Sequence, residues 1–221
     1  MKEEKMRFEY VMLGQCVLKY QVPLETFVAL NEIYETKKKD LPNATKQLAG
    51  KIPDERSLFY AGPTNERMHA HNHVSKDIMK WFYSIFDHYL KWNVTQDYTM
   101  DINSIWVNEM KAGDFNPVHI HQGKLYTGLS SVMILKLPKD MGPELARPDQ
   151  PANGQLQILG NVAGQFVHSD YSPKAQIGDL YVFPYDMRHV VYPFTNKKEK
   201  RRTLSCNCDV NYNPVSSRTL K

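Results

Sequence analysis

His119 and His121 stand two residues apart in the apolar stretch Val118-His-Ile-His121. Side chains alternate along a strand, so both imidazoles would face the same side. A third histidine, His189, lies far downstream in Arg188-His-Val-Val191, after Gly178-Asp-Leu-Tyr-Val-Phe-Pro184. Three imidazoles on two separate strands meet only where a sheet folds over on itself. Together they could coordinate a redox metal such as iron, with positions left open for reactants. Taken alone, a histidine pair on one strand face is more commonly polar lining than a ligand set. Arg201 strengthens the metal reading, because a planar guanidinium grips a carboxylate through two parallel hydrogen bonds.

The elements that must position these residues divide the chain near residue 98. Residues 1–97 read as an N-terminal helical region packed on a core, and residues 98–221 as the core itself. Pro23 can open a helix, and Leu24, Phe27, Val28, Leu30, Ile33 and Tyr34 recur near helical spacing. Residues 40–75 are polar and rich in Asn, Pro and Gly, which predicts a loop with a short helix near 43–49. Ser75 is a candidate N-cap for a helix that runs to about Leu90 and presents Ile78, Phe82, Ile85, Phe86 and Tyr89 on one face. Beyond residue 98, strands are expected over 104–110, 118–121, 129–137, 155–159, 164–168, 181–183, 188–192 and 203–210, with a long loop over 138–154. Short strands separated by Gly and Pro predict a mainly β sandwich or barrel.

Composition narrows the classes. The chain has 221 residues and 42% hydrophobic content, ordinary for a globular domain. Its formal charge of +4 is mild and concentrated in Lys37-Lys38-Lys39 and in the run from Lys197 to Arg202, which argues against a nucleic-acid-binding face. Three cysteines, Cys16, Cys206 and Cys208, are too few for a disulfide framework and point to a reducing compartment. There is neither a signal-like apolar start nor an apolar run long enough for a membrane span. The expectation is a cytoplasmic protein with no membrane partner.

The stretches Trp106-Val-Asn108, Asn116-Pro-Val-His119-Ile-His121 and Leu129-Ser-Ser-Val132 resemble a phage and bacterial group of 2-oxoglutarate/Fe(II)-dependent oxygenases. So do Gly178 to Pro184, His189-Val-Val-Tyr-Pro193 and Arg201-Arg-Thr-Leu-Ser-Cys-Asn207. The resemblance spans about residues 104–210. It implies a double-stranded β-helix, or jelly roll, with Fe(II) as cofactor and 2-oxoglutarate and O2 as co-substrates. It further implies hydroxylation of a peptide or protein side chain, proline included, and the host cytoplasm where the protein is phage-encoded. His119 and His189 then stand as iron ligands. His121 occupies the place where most such enzymes carry a carboxylate, which leaves three arrangements open. His121 completes a three-histidine site, or it is itself the first ligand of a His121-Gln-Gly123 arrangement, or a remote acid completes the set. Arg201 and Thr203, on one strand face, would cradle the far carboxylate of 2-oxoglutarate. Arg202 would point the other way, to the surface.

Other clusters carry weaker readings. His69, His71 and His73 form an alternative metal cluster in a polar stretch, with no carboxylate close by. Cys206 and Cys208 read as buried small hydrophobes on the parity opposite to Arg201. Asp186 could orient His189 from behind, Tyr126 could line the pocket, and Trp106 reads as core. Two other classes remain. One is a three-histidine cupin-type metal dioxygenase with no use for 2-oxoglutarate, and the other is a non-catalytic jelly roll that binds or builds.

Overall fold

A computed structural model of the chain describes residues 14–62, 69–94, 97–161, 164–165 and 167–212. In chain order its elements are β1 (Leu18–Gln21), α1 (Leu24–Lys37), β2 (Glu55–Tyr60), β3 (His71–Asn72), α2 (Lys76–Asn93), β4 (Tyr98–Met110), β5 (Asn116–His119), β6 (Gly128–Lys136), β7 (Leu156–Leu159), β8 (Asp170–Tyr171), β9 (Asp179–Pro184), β10 (Arg188–Val191) and β11 (Arg201–Tyr212). A 3-10 turn, Thr45–Gln47, lies between α1 and β2. The strands form a seven-stranded sheet, ordered β1-β9-β6-β11-β4-β2-β3, and a four-stranded sheet, ordered β5-β10-β7-β8. Every named pairing is antiparallel. The mainly β jelly-roll expectation is met.

Two apolar layers hold the sheets. Between them lie Met110, Val132, Ile134, Leu156, Ile158, Tyr181, Phe183, Met187, Val191 and Phe194. On the other face of the large sheet, α1 and α2 cover Ile105, Val107, Met133, Leu180, Val182, Leu204, Cys206 and Cys208. Helix α2 starts where Ser75 Oγ accepts from the Ile78 amide, and it buries Ile78, Phe82, Phe86, Tyr89 and Leu90. The helix runs three residues past Leu90, to Asn93. Among the described residues, no helix is long and apolar enough to cross a membrane.

The N-terminal stretch is not helical throughout. Strand β1 pairs with β9 from Leu18↔Val182 to Gln21↔Asp179, and Lys19 Nζ lies 2.9 Å from the buried Asp179 carboxylate. Strand β2 pairs with β4 inside a segment expected to be loop. Its sequence, Glu-Arg-Ser-Leu-Phe-Tyr, opens with two charged residues and so lacks the apolar alternation of a strand. The strand expected over 164–168 is also displaced. Residues 162, 163 and 166 lie outside the described residues, while 164, 165, 167 and 168 are not in a strand, and β8 forms at Asp170–Tyr171.

Strand β11 sorts its side chains between the layers. Leu204, Cys206, Cys208 and Val210 face the helices, and all three cysteines are free thiols. Arg202 points the same way, but it is not a surface residue: it is buried. Its guanidinium binds Glu109 (2.5 Å) and Glu35 (2.6 Å) and lies 4.3 Å above the Tyr34 ring. The expectation of a solvated arginine failed because α1 covers that face. Glu109 also accepts from Lys38 (2.9 Å) and Lys200 (2.7 Å).

This network generates an acid-stability prediction. Burial raises the Glu109 pKa, but hydrogen bonds from Lys200, Arg202 and Lys38 outweigh it and hold the carboxyl at about 2. A pKa lower in the folded than in the unfolded state means that the unfolded chain binds more protons at intermediate pH. The stabilisation is therefore full above the ordinary carboxylate value and is lost as pH falls towards 2. Glu109→Gln should remove this acid-dependent component in urea titrations between pH 5 and 2.5. Arg202→Ala should cost about 3–5 kcal/mol at pH 7, because it leaves a buried carboxylate short of a partner.

Candidate metal and carboxylate site

The small sheet brings the histidines together. β5 and β10 pair antiparallel with His119 directly opposite His189, and the two rings lie 4.2 Å apart. β5 ends at His119, so His121 lies beyond the strand rather than on it. Its amide donates to the Tyr185 carbonyl (2.9 Å), which turns the residue back toward the pair. The ring nitrogens of the three histidines lie within 4.8 Å of one another. Among the described residues, this is the one group of three or more His, Cys, Asp or Glu side chains placed to hold a metal, and no carboxylate belongs to it.

Hydrogen bonds set the proton positions. His119 Nδ1 donates to the Pro117 carbonyl (2.7 Å), and His189 Nδ1 donates to the Met187 carbonyl (3.1 Å). Both rings therefore carry the proton on Nδ1 and leave Nε2 unprotonated as a ligand atom. His121 Nε2 lies 3.1 Å from His189 Nε2, and Asn207 Nδ2 lies 3.4 Å from His121 Nδ1. That chain gives His121 the opposite tautomer, with its proton on Nε2 and pointing at His189. To hold a metal through Nε2, His121 would have to carry its proton on Nδ1 instead, beside Asn207.

Burial favours the neutral rings. It lowers the His119 pKa, and with the neighbouring histidines it drives His121 far below its usual value. Burial and then His119 push His189 down to about 3. The walls add aromatic contacts: the Phe183 ring lies 4.8 Å from His189, and the Trp106 ring lies 5.8 Å from His121. Trp106 is thus buried core and cavity wall at once.

Arg201 and Thr203 face the space between the sheets. Arg201 is 1% exposed, and among the described residues its side chain has one hydrogen-bond partner, the Met110 sulfur at 3.8 Å. Its Nε has no partner among them, and burial alone lowers its pKa to about 10. Met110 and Phe183, whose ring lies against His189, belong to one apolar layer between the sheets, so the guanidinium and His189 border the same layer. A buried cation without an acid is costly unless an anion arrives to pair with it. Thr203 is buried on the same face, opposite Asn108.

The remaining expectations fare differently. A cavity of about 580 Å³ opens beside the histidines; Glu55, Ser57, Asn103, Trp106, His119, His121 and Asn207 are among its walls. Tyr126 does not line it and is 87% exposed. Asp186 accepts from Gln15 (2.6 Å) rather than from His189, whose Nδ1 is already engaged. His71 is tied to Ser57 Oγ (2.9 Å) and to the His69 carbonyl (2.8 Å), and no metal cluster forms with His69 and His73. Asn207 and Glu55 were given no role from sequence. Strand parity with Arg201 and Thr203 could have found Asn207, whereas nothing local marks Glu55.

In the metal-free protein, nitrogen-15 NMR should find His119 and His189 protonated at Nδ1 and His121 at Nε2. All three should be neutral at pH 6, below the usual histidine value of about 6.5. A doubly protonated ring at pH 6 would contradict this arrangement.

Residues 104–207 match a family model described as "Putative 2OG-Fe(II) oxygenase". No curated protein matches the sequence. Among solved structures, the chain is similar to a Pseudomonas putida prolyl-4-hydroxylase, at 15% identity over 89% of this chain and 92% of that one, with a TM-score of 0.51. It is also similar to a Trichoplax adhaerens prolyl hydroxylase in complex with a hypoxia inducible factor peptide fragment, at 12% identity over 89% and 83%, with a TM-score of 0.53. A third is AviO1 from Streptomyces viridochromogenes, at 12% identity over 91% of each chain, with a TM-score of 0.52. At these identities the structures establish the fold. The family match covers every histidine of the cluster together with Arg201 and Thr203.

Proposed function

We propose that this protein is a 2-oxoglutarate- and Fe(II)-dependent hydroxylase of a peptide or protein side chain, proline included. In this reading His119, His121 and His189 hold the iron. Arg201 and Thr203 hold the far carboxylate of 2-oxoglutarate. The observation that carries the reading is Arg201, a fully enclosed guanidinium with no acidic partner among the described residues. A three-histidine enzyme without 2-oxoglutarate would leave that charge unmatched. A non-catalytic jelly roll would have no use for three neutral imidazoles turned on one centre.

Iron with 2-oxoglutarate and O2 supplies the oxidising power to place a hydroxyl on a C–H bond, releasing succinate and CO2. The protein's part is binding, orientation and exclusion of water. The Pro117 and Met187 carbonyls fix two imidazoles as neutral ligands. Met110, Phe183 and Val191 make the surroundings apolar, which strengthens the pairing of Arg201 with a carboxylate. Three neutral histidines bring no negative charge, so the dianionic co-substrate must balance the metal.

A peptide substrate is supported by Ile120, an apolar side chain that is 56% exposed and borders the cavity next to His119 and His121. Two structural neighbours, both prolyl hydroxylases, agree with it. Residues 98–221 carry every metal and co-substrate group in this scheme, and residues 1–97 add the helical cover and one cavity wall. The free thiols support a cytoplasmic setting, in a bacterium or a phage-infected host.

His119→Ala and His189→Ala should each abolish stoichiometric Fe(II) binding with little change in melting temperature, and iron retained at wild-type affinity would remove that ligand. For His121→Ala, full loss supports three histidine ligands and a modest loss supports two. Arg201→Met should weaken 2-oxoglutarate by about 30-fold or more, from the cost of unpairing a buried charge pair. Calorimetry on the Mn(II)-loaded protein measures this directly, and unchanged affinity would refute the role of Arg201.

A further inference from the structure

Glu55 is the least expected side chain in the cavity wall. It opens β2 opposite Asn108 of β4, is 0% exposed, and has no hydrogen-bond partner on either carboxylate oxygen. The nearby Thr45 hydroxyl is turned instead to the carbonyls of Ile52 and Pro53 (both 3.2 Å). No cation pairs with Glu55 among the described residues, although Lys38 and Arg56 close by both bind Asp54. Glu55 lines the same cavity as His119 and His121, yet it is not part of the histidine cluster.

Its unpartnered neighbours are acceptors as well. Asn116 Oδ1, on the cavity wall, and Asn108 Oδ1, across the strand pair, are buried without a donor. Buried polar atoms are nearly always satisfied, so three side chains with four unmatched acceptor oxygens define what is missing: a group rich in N–H donors. Arg201 shows the opposite deficiency, an unmatched donor awaiting an anion. Arg201 and Glu55 therefore call for ligands of opposite charge.

We infer that Glu55 is a specificity residue that seats a cationic nitrogen of the substrate, an ammonium or a guanidinium, in the cavity beside the histidine cluster. This inference rests on the hydroxylase reading and narrows its substrate to a peptide segment with a basic group at or next to the modified residue. Without a cation beside it, Glu55 has its pKa raised to about 8, by burial first, with Thr45 opposing and Asp114 adding to the rise. The acid therefore resists ionisation until a cation enters with it. A neutral segment leaves the buried oxygens unmatched, and rejection of that kind discriminates strongly between substrates.

The test uses blocked amino-acid amides as probes of the anaerobic Fe(II)–2-oxoglutarate complex, with binding read by calorimetry. N-acetyl-lysine amide and N-acetyl-arginine amide are compared with the uncharged norleucine and citrulline analogues. The cationic probes should bind about ten-fold or more tighter than their neutral counterparts, the usual scale for a hydrogen bond to a charged group. The lysine and arginine arms separate ammonium from guanidinium. Glu55→Gln should abolish the preference without lowering the melting temperature, because it removes a buried, unpaired acid. Equal affinity for charged and neutral probes, no measurable binding of the charged ones, or a preference that survives in Glu55→Gln would overturn the inference. Titration of 2-oxoglutarate into the wild type separates the two levels. If it fails to bind, the hydroxylase reading falls; if it binds without a preference for cations, only the role of Glu55 falls.

Discussion

Strand β11 carries a buried arginine on each of its two faces, and the protein neutralises one of them. Arg202, under α1, is held by Glu109 and Glu35 and stacks on Tyr34. Arg201, one residue earlier, enters the space between the sheets with only a methionine sulfur for company. Strand alternation sends adjacent residues to opposite faces, and pairing to β4 and β6 along most of its length fixes that register. The same register places Thr203 and Asn207 on the Arg201 side, so one strand holds the proposed carboxylate-binding groups and the residue that contacts His121. An unmatched buried cation lowers stability on its own, and such a defect is expected at a functional site.

The interior is polarised as a consequence. Arg201 offers an unmatched donor, the groups around Glu55 offer unmatched acceptors, and three neutral imidazoles stand beside the cavity that Glu55 lines. Each part comes from a different layer of the fold. The large sheet supplies Arg201 through β11, the small sheet supplies His119 and His189 through β5 and β10, and the N-terminal segment supplies Glu55 through β2. The helices contribute no group to the site. They bury the far face of the large sheet and so hold β4 and β11 in place, with Arg202 of β11 bound to Glu35 of α1 and to Glu109 of β4.

Much of this was legible in the sequence because it rests on short-range periodicity. The His-x-His spacing, the parity of Arg201 and Thr203, the opposite parity of Cys206 and Cys208, and the face of α2 each follow from periods of two or 3.6 residues. What escaped depends on long-range placement. Arg202 reads as solvated because nothing near it shows that α1 returns to cover it. β2 reads as loop because its first residue is a glutamate, and a glutamate is rarely buried. Asp186 stands close to His189 in sequence, but its carboxylate turns to Gln15, 171 residues away. The tautomer of His121 depends on Asn207, 86 residues later, which no local pattern specifies.

The central claim is that the histidine cluster and Arg201 form one site that takes iron and 2-oxoglutarate together. Anaerobic titration of 2-oxoglutarate into the Fe(II)-loaded protein, followed by visible absorption, tests it most directly. Chelation of 2-oxoglutarate by the iron gives a weak visible charge-transfer band. The band should appear with one equivalent of each, be absent when either is omitted, and disappear when the histidines are replaced. Stoichiometric Fe(II) binding with no band at saturating 2-oxoglutarate would contradict the account, and would leave a three-histidine metal site beside an arginine of some other purpose.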